Sequence, residues 1–515
     1  MMHFSHSLRR MRFLGTLIVL ASAGMLACAE TNTTEKVRQL SLQECVELTL
    51  KHNLDLQIDR FNPEIALFTL KADYSAYDPN LNLAGQHDYT VQGTRLISGG
   101  FSVAGATTED EAFSSGLNGL LPSGGTYSVG TGSSIRDTYG QTLGVPFENS
   151  GGSVQMAVNQ PLLRNMWIDQ PRLNIRVAKN RVKYTEQALR LQMMQTLTTL
   201  EQAFYDLIYS RENAVVQGKA VELAERLVAE NRKRLEVGAL APLDLQSAEA
   251  QAASSRAGVI AAKSQLGTQE RVLKQLVTDQ YTAWSGLEIV PMGTLSAPAP
   301  VLNLQDSWSK GLAQRADLIQ AKLDVERAGI QLKYTRNQLF PQLDIFGTAG
   351  YNGASTKQNG GGGEFSDALY DIASRNKPYY TYGGSLTFPL LNIGPRNNYK
   401  SAKASMEQIV LTLKKLEQTI MVAIDNDIGT IRANYDQVKA TRAAREYEES
   451  ALDAEQKKLE SGKSTTYTVL QVQRDLTAAR GSEIQALDTY NKSLSQLSLD
   501  EGTTLERLGV KLEWK

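Results

Sequence analysis

The stretch AYDPNLNLAGQHDYT at 76–90 returns at 338–352 as QLFPQLDIFGTAGYN, so that Pro79, Leu81, Gly85 and Tyr89 recur as Pro341, Leu343, Gly347 and Tyr351. The same gap-free shift of 262 residues pairs Leu42 with Leu304, Leu50 with Leu312, Asp55 with Asp317 and Glu64 with Glu326. Downstream, QPLLRN at 160–165 answers FPLLNI at 388–393, and RLEVGALAPLDLQ at 234–246 answers KLESGKSTTYTVL at 458–470. A period this long marks a duplicated domain rather than a solenoid. The chain divides into a first repeat at 38–280, a Pro-rich linker at 281–302 and a second repeat at 303–515.

Both copies keep one order. A helical stretch runs to Pro79 or Pro341, the first of them expected as one helix over 41–77. A glycine island follows, with strands expected within 79–160 and 341–389. Then come long runs of helix formers with apolar residues three and four apart, such as Leu189, Met193, Leu197, Leu200 and Phe204. These predict helical hairpins over 166–278 and 396–500. Gly then Pro in EVGALAPLD punctuates the first turn. Each hairpin has a helix of about 65–70 residues, roughly 100 Å long, and a return helix about half that length. Two half-length helices stacked end to end would match one full-length helix, which predicts an antiparallel coiled-coil rod.

The islands read as β. In PNLNLAGQHDYTVQ, Leu81, Leu83, Gly85, Tyr89 and Val91 fall on one face, and Asn80, Asn82, Gln86, Asp88, Thr90 and Gln92 on the other. Tyr and Phe near the strand ends resemble an interfacial girdle. Lipid forbids unpaired backbone, so four strands per chain cannot stand alone and several chains must share one barrel. Residues 92–152 exceed a simple loop, and an extra hairpin is expected around PSGG, extending the barrel or capping it outside. NGGGGEF at 359–365 reads as a flexible linker.

Residues 1–28 read as an export signal, with Arg9, Arg10 and Arg12 before the apolar run Phe13–Leu26. Either cleavage follows Ala29 or MLAC acts as a lipobox with Cys28 acylated. Cys45, the other cysteine, falls on an apolar helix face and reads as buried. The net charge of −1, without a basic block, argues against nucleic acid. No Cys/His cluster has metal-ligand spacing, and no Walker or G-x-S-x-G motif is present. No enzyme and no cofactor are expected.

The doubled helix–strand–strand–helix–helix order, the P-x-L entry to each first strand, the PLL exit and the glycine turns together resemble the TolC-type outer membrane efflux family. The resemblance covers nearly all of the mature chain. It implies an α+β membrane protein: a homotrimer with four strands per chain in a twelve-stranded transmembrane β-barrel, over a long antiparallel α-helical coiled-coil barrel. It implies a passive exit duct in the outer membrane of a Gram-negative-type cell, with a large periplasmic part. The partners it implies are a periplasmic adaptor and an inner-membrane RND or ABC-type pump, in an efflux or type I secretion system.

Carried over by position, the adaptor-docking tips are Val237, Gly238, Ala239 and Leu240, and Ser461, Gly462, Lys463 and Ser464. Asp244 matches an acidic residue of the closed entrance. Thr468 and Gln471 stand where two further aspartates are usual, and Ser464 stands where a locking arginine is usual, with Lys463 beside it. This chain therefore departs from the family's acidic constriction. The rival reading is a periplasmic coiled-coil adaptor or scaffold without a membrane barrel.

Overall fold

The computed structural model describes residues 36–510 apart from 97–101, 104, 143–144, 239–240, 359–360 and 363. Cys28, Ala239 and Leu240 lie outside the described residues.

The expected helix over 41–77 is two helices, α1 (Leu42–His52) and α2 (Leu54–Asp73), followed by a single 3-10 turn to Tyr77. The break is at Asn53, whose backbone is extended with ψ 124°. It caps both helices: its N–H donates to Thr49 O at 3.0 Å, and its Oδ1 accepts from the Leu56 N–H at 3.1 Å. Its Nδ2 also donates to Leu276 O at 3.1 Å, tying the joint to another helix. An Asn side chain that competes for backbone partners breaks a helix without proline, which spacing of apolar residues could not reveal. The second copy breaks at the matching place, between α5 (Leu304–Gln314) and α6 (Ala316–Asn337), with Arg315 in the joint.

The long helices are α3 (Gln170–Glu236) and α8 (Ile393–Glu460), and the return helices are α4 (Pro242–Val277) and α9 (Thr466–Asp500). Asp169 caps α3, accepting from the Arg172 N–H at 2.9 Å. On one side of α3 lie α2 and α4 in succession, and on the other α6 and α9 in succession; α8 packs beyond these two. Four columns result, α2/α4, α3, α6/α9 and α8, as the length arithmetic predicts. The core sits where half-length helices meet. Leu197, Leu200, Phe204 and Leu207 of α3 pack with Ile420, Ile424, Ile428 and Ile431 of α8, and with Val46 and Cys45. Cys45 is fully buried, and burial pushes its thiol up to about 12. A parallel two-strand ribbon, β1 (Lys36–Ser41) on β6 (Leu287–Met292), joins the chain's start to the linker.

Six long strands, joined by the two-residue strand Gly361–Gly362, form one antiparallel sheet: β2 (Asn80–Val91), β3 (Thr107–Leu120), β4 (Thr126–Thr142), β5 (Val145–Pro161), β7 (Gln342–Gln358) and β8 (Pro378–Thr387), the six paired in that order. The expected four strands are therefore six. β3 and β4 are the hairpin around PSGG, and they stand between β2 and β5 within the sheet. The glycine run expected as a linker is partly paired, Gly361 and Gly362 folding back on Gln358 and Lys357. Beyond it, Glu364 caps a short helix, α7 (Phe365–Ser374), which the island's composition concealed.

At the second joint, Arg315 holds Asp317 at 2.7 Å and Asp500 at 2.6 Å. Burial, and then the neighbouring Asp500, push Asp427 up to about 7. Asp427 is thus protonated in the fold where it would be ionised in the unfolded chain. Its stabilising share is complete below the ordinary carboxylate range and is lost as pH rises through about 7. Denaturation midpoints of the detergent-solubilised protein should fall between about pH 4 and pH 7 through this group, and Asp427→Asn should flatten that part of the profile. An unchanged profile in the variant would refute the assignment.

Candidate functional site

Two regions hold the residues singled out by the sequence, the hairpin tips and the sheet. At the first tip α3 ends at Val237, and Gly238 takes φ +73°, its N–H donating to Leu235 O at 2.9 Å. At the second, α8 ends at Ser461, and Gly462 takes φ +71°, with Lys463 N–H closing on Lys458 O at 2.8 Å. Both glycines are in the left-handed region that ends a helix at least cost, so the two turns are built alike. Among the described residues, and apart from its chain neighbours, no heavy atom lies within 4 Å of where either glycine's Cβ would be. The glycines therefore serve the turn's backbone rather than a tight contact within the chain, and the tips stand open.

The tip electrostatics are local. Ser464 Oγ donates to Glu455 Oε2 at 2.7 Å, and Lys458 Nζ lies 2.5 Å from the other oxygen. Lys458 first, then Ser464, hold the Glu455 carboxyl below its usual range. Thr465 caps α9, accepting from the Thr468 N–H at 3.3 Å, and the two hydroxyls are 3.0 Å apart. Thr468 is thus tied to its own cap and half-buried, whereas Gln471 is exposed one turn on. Asp244 is half-buried in the first turn of α4. Among the described residues no ion pair joins Asp244 to Lys463. A small cluster formed by Leu227, Ala248, Leu452, Val469, Leu470 and Leu476 holds the two hairpins together behind the tips.

Near the helical end the sheet has two chemically different faces. Across all six strands Leu81, Leu117, Val129, Met156, Ala349 and Tyr380 are successive ladder partners, forming one apolar row. The next row is Asn80, Asn118, Ser128, Ala157, Thr348 and Thr381. The polar face is cross-linked: Asn82 Nδ2 donates to Asn118 Oδ1 at 3.0 Å, and Tyr379 OH to Gln155 Oε1 at 2.6 Å. The apolar face is bare, with Leu81, Leu83, Tyr89, Val91, Met156, Tyr380 and Tyr382 all exposed.

The two flanks of the chain are unfinished in register. β2 and β8 are the unpaired edges of the sheet. β2 continues from column α2/α4, and β8 leads into column α8, so each flank is one strand edge plus one helix column. On α2 the exposed residues Leu54, Ile58, Phe61, Ile65 and Phe68 recur at four- and three-residue steps, a coiled-coil seam without a partner within the chain. Sequence reasoning passed over this seam, although its spacing was there to read.

A family model described as outer membrane efflux protein matches residues 308–499. The outer membrane efflux protein BepC of Brucella suis biovar 1 (strain 1330) is 24% identical over 416 residues, covering 80% of this chain and 84% of that protein. The outer membrane protein TolC of Escherichia coli (strain K12) is 24% identical over 284 residues, 54% of this chain and 55% of that protein. The crystal structure of the Campylobacter jejuni CmeC outer membrane channel superposes with a TM-score of 0.64 at 16% identity, over 90% of this chain and 86% of that one. The four-column rod under a two-faced sheet is thus the fold of a solved outer membrane channel. With the family model over residues 308–499 and the curated relatives beside it, the chain is similar to outer membrane efflux proteins of the TolC type.

Proposed function

We propose that three copies of the chain close into a passive exit duct, the outer-membrane component of a tripartite efflux or type I secretion system. One observation carries the reading: each flank ends in an unpaired strand and an uncovered helix column. A heterologous contact between the two flanks repeats until it closes a ring. Closure pairs β2 of one copy with β8 of the next and covers the seam of α2 with the neighbour's α8. It also removes every open edge, the condition for standing in lipid. The apolar row then faces hydrocarbon, and the rows of Asn, Ser and Thr face water.

The tips at Gly238 and Gly462 lie at the opposite end of the rod, about 100 Å away along α3 and α8. They are the natural docking surface for a periplasmic adaptor's helical hairpin. An inner-membrane RND or ABC-type pump supplies the energy. The rival reading, a periplasmic adaptor or scaffold, leaves the bare apolar row without a role.

Size-exclusion with light scattering on detergent-extracted protein should give a trimer, and Leu81→Cys with Tyr380→Cys should cross-link neighbouring copies. A folded, membrane-extracted monomer would sink the shared ring.

The entrance should discriminate ions weakly. Asp244 is the acidic group carried over from the family's entrance, and Thr468 and Gln471 add no charge. Thr468 is the third residue of α9, where a carboxylate suits the helix N-terminus, so Thr468→Asp should fold. Unit charges about 4 Å apart interact by about 1 kcal/mol even at the dielectric of water. Thr468→Asp with Gln471→Asp should therefore raise the cation-to-anion permeability ratio about fivefold or more and create block by trivalent cations. Planar-bilayer recordings read this directly. Micromolar trivalent block of the unmodified channel would contradict it.

A further inference from the structure

The hairpin β3–β4 separates β2 from β5 over their whole lengths. Every backbone bond that would join those two strands in a four-stranded sheet runs instead through the hairpin, from Asn80↔Asn118 to Val91↔Thr107 on one side and from Thr126↔Asn159 upward on the other. At the helical end the hairpin's side chains keep the phase of the sheet, whereas farther out Glu109 and Glu111 stand beside Tyr89 and His87 on that face. Leu117 and Val129 extend the apolar row between Leu81 and Met156, while Asn118 and Ser128 extend the polar row between Asn80 and Ala157. An external cap would have no reason to alternate in step with lipid-facing neighbours.

Its turn is at the helical end of the sheet. Gln160 Nε2 donates to Ser123 O at 3.1 Å, Ser123 Oγ donates to Gln160 Oε1 at 2.7 Å, and Arg172 of α3 donates to Asn165 O at 2.5 Å beside it. Gly124 takes φ +85°, and a Cβ there would lie 2.5 Å from Arg172 Nη2 and 2.7 Å from Asn165 O. The turn is thus fitted into the junction between sheet and rod.

The widths agree as well. Strands about 4.8 Å apart and tilted about 40° each take roughly 6.3 Å of circumference. Six strands span about 38 Å and four about 25 Å. Four helix columns at about 8–10 Å spacing span about 32–40 Å. Six strands span a width comparable with that of the columns beneath them.

We propose that the hairpin Thr107–Thr142 is part of the lipid-facing wall, each chain giving six strands and three chains closing a barrel of eighteen whose bore continues that of the helical tunnel. This rests on the trimeric duct proposed above. The barrel's backbone diameter is then about 36 Å rather than about 24 Å, roughly doubling the cross-section open to cargo. The polar rows of Asn, Ser, Thr and Gly would pass bulky hydrophilic solutes.

The test maps strand neighbours in the full-length protein in membranes. Leu81→Cys with Leu117→Cys, and Val129→Cys with Met156→Cys, should each form a disulfide within one chain, whereas Leu81→Cys with Met156→Cys should not. Trp placed at Leu117 or Val129 should be quenched by brominated lipid as strongly as Trp at Leu81. If a chain lacking 105–143 still assembles, its conductance should fall about twofold. Light scattering on the same samples separates the failures. A trimer with a Leu81–Met156 disulfide and Trp at Leu117 unquenched would overturn the eighteen-stranded wall and leave the duct standing. A monomer would overturn both.

Discussion

A strand edge that faces hydrocarbon has nothing to bond to, and this one prohibition governs the molecule. The sheet of a single chain has two such edges, β2 and β8. The β2 edge is not shortened or bulged as in soluble proteins: it is twelve residues long and regular along its whole ladder with β3. An edge like this is stable only against another strand. The helical half repeats the demand in side-chain terms, since the seam from Leu54 to Phe68 is as uncovered as the strand beside it. Both halves of one flank are thus open on the same side, which is the ground for the shared ring proposed above.

The rod is held at its middle and is looser at its ends. The large apolar cluster lies where α2 meets α4 and α6 meets α9, and it is reinforced by charged groups. Lys492 pairs with Asp488 at 2.8 Å and with Asp206 of α3, and Arg507 pairs with the buried Glu201. Towards the tips the small apolar cluster of Leu452, Val469 and Leu470 is flanked by part-buried ion pairs: Glu449 takes Arg445 at 2.8 Å and Arg480 at 2.7 Å, joining α8 to α9.

Much of this was legible in the residues. The repeat at 262 residues predicted the break at Arg315 as soon as one exists at Asn53, because α1 and α5 begin and end at matching positions. The four-column packing followed from helix lengths alone. The breaks themselves were not legible, since Asn53 and Arg315 act through hydrogen bonds to chain segments far away in sequence. The helix Phe365–Ser374 was hidden in a glycine-rich stretch, where it is started by the cap at Glu364 rather than by a long periodic pattern.

The hairpin around PSGG marks the boundary between the two kinds of knowledge. Its sequence determined that it would be a hairpin, because a glycine turn lies between two stretches of alternating residues. Sequence also determined the helices, the two-faced strands and the turn glycines, since these depend on local periodicity and on backbone angles that few residues accept. Whether the hairpin entered the sheet or covered it depended on which strand offered β2 a partner in phase, and on the fit of Gly124 against Arg172. Those are contacts between residues tens of positions apart, and no local pattern encodes them. Only the tertiary structure decided that the sheet has six strands.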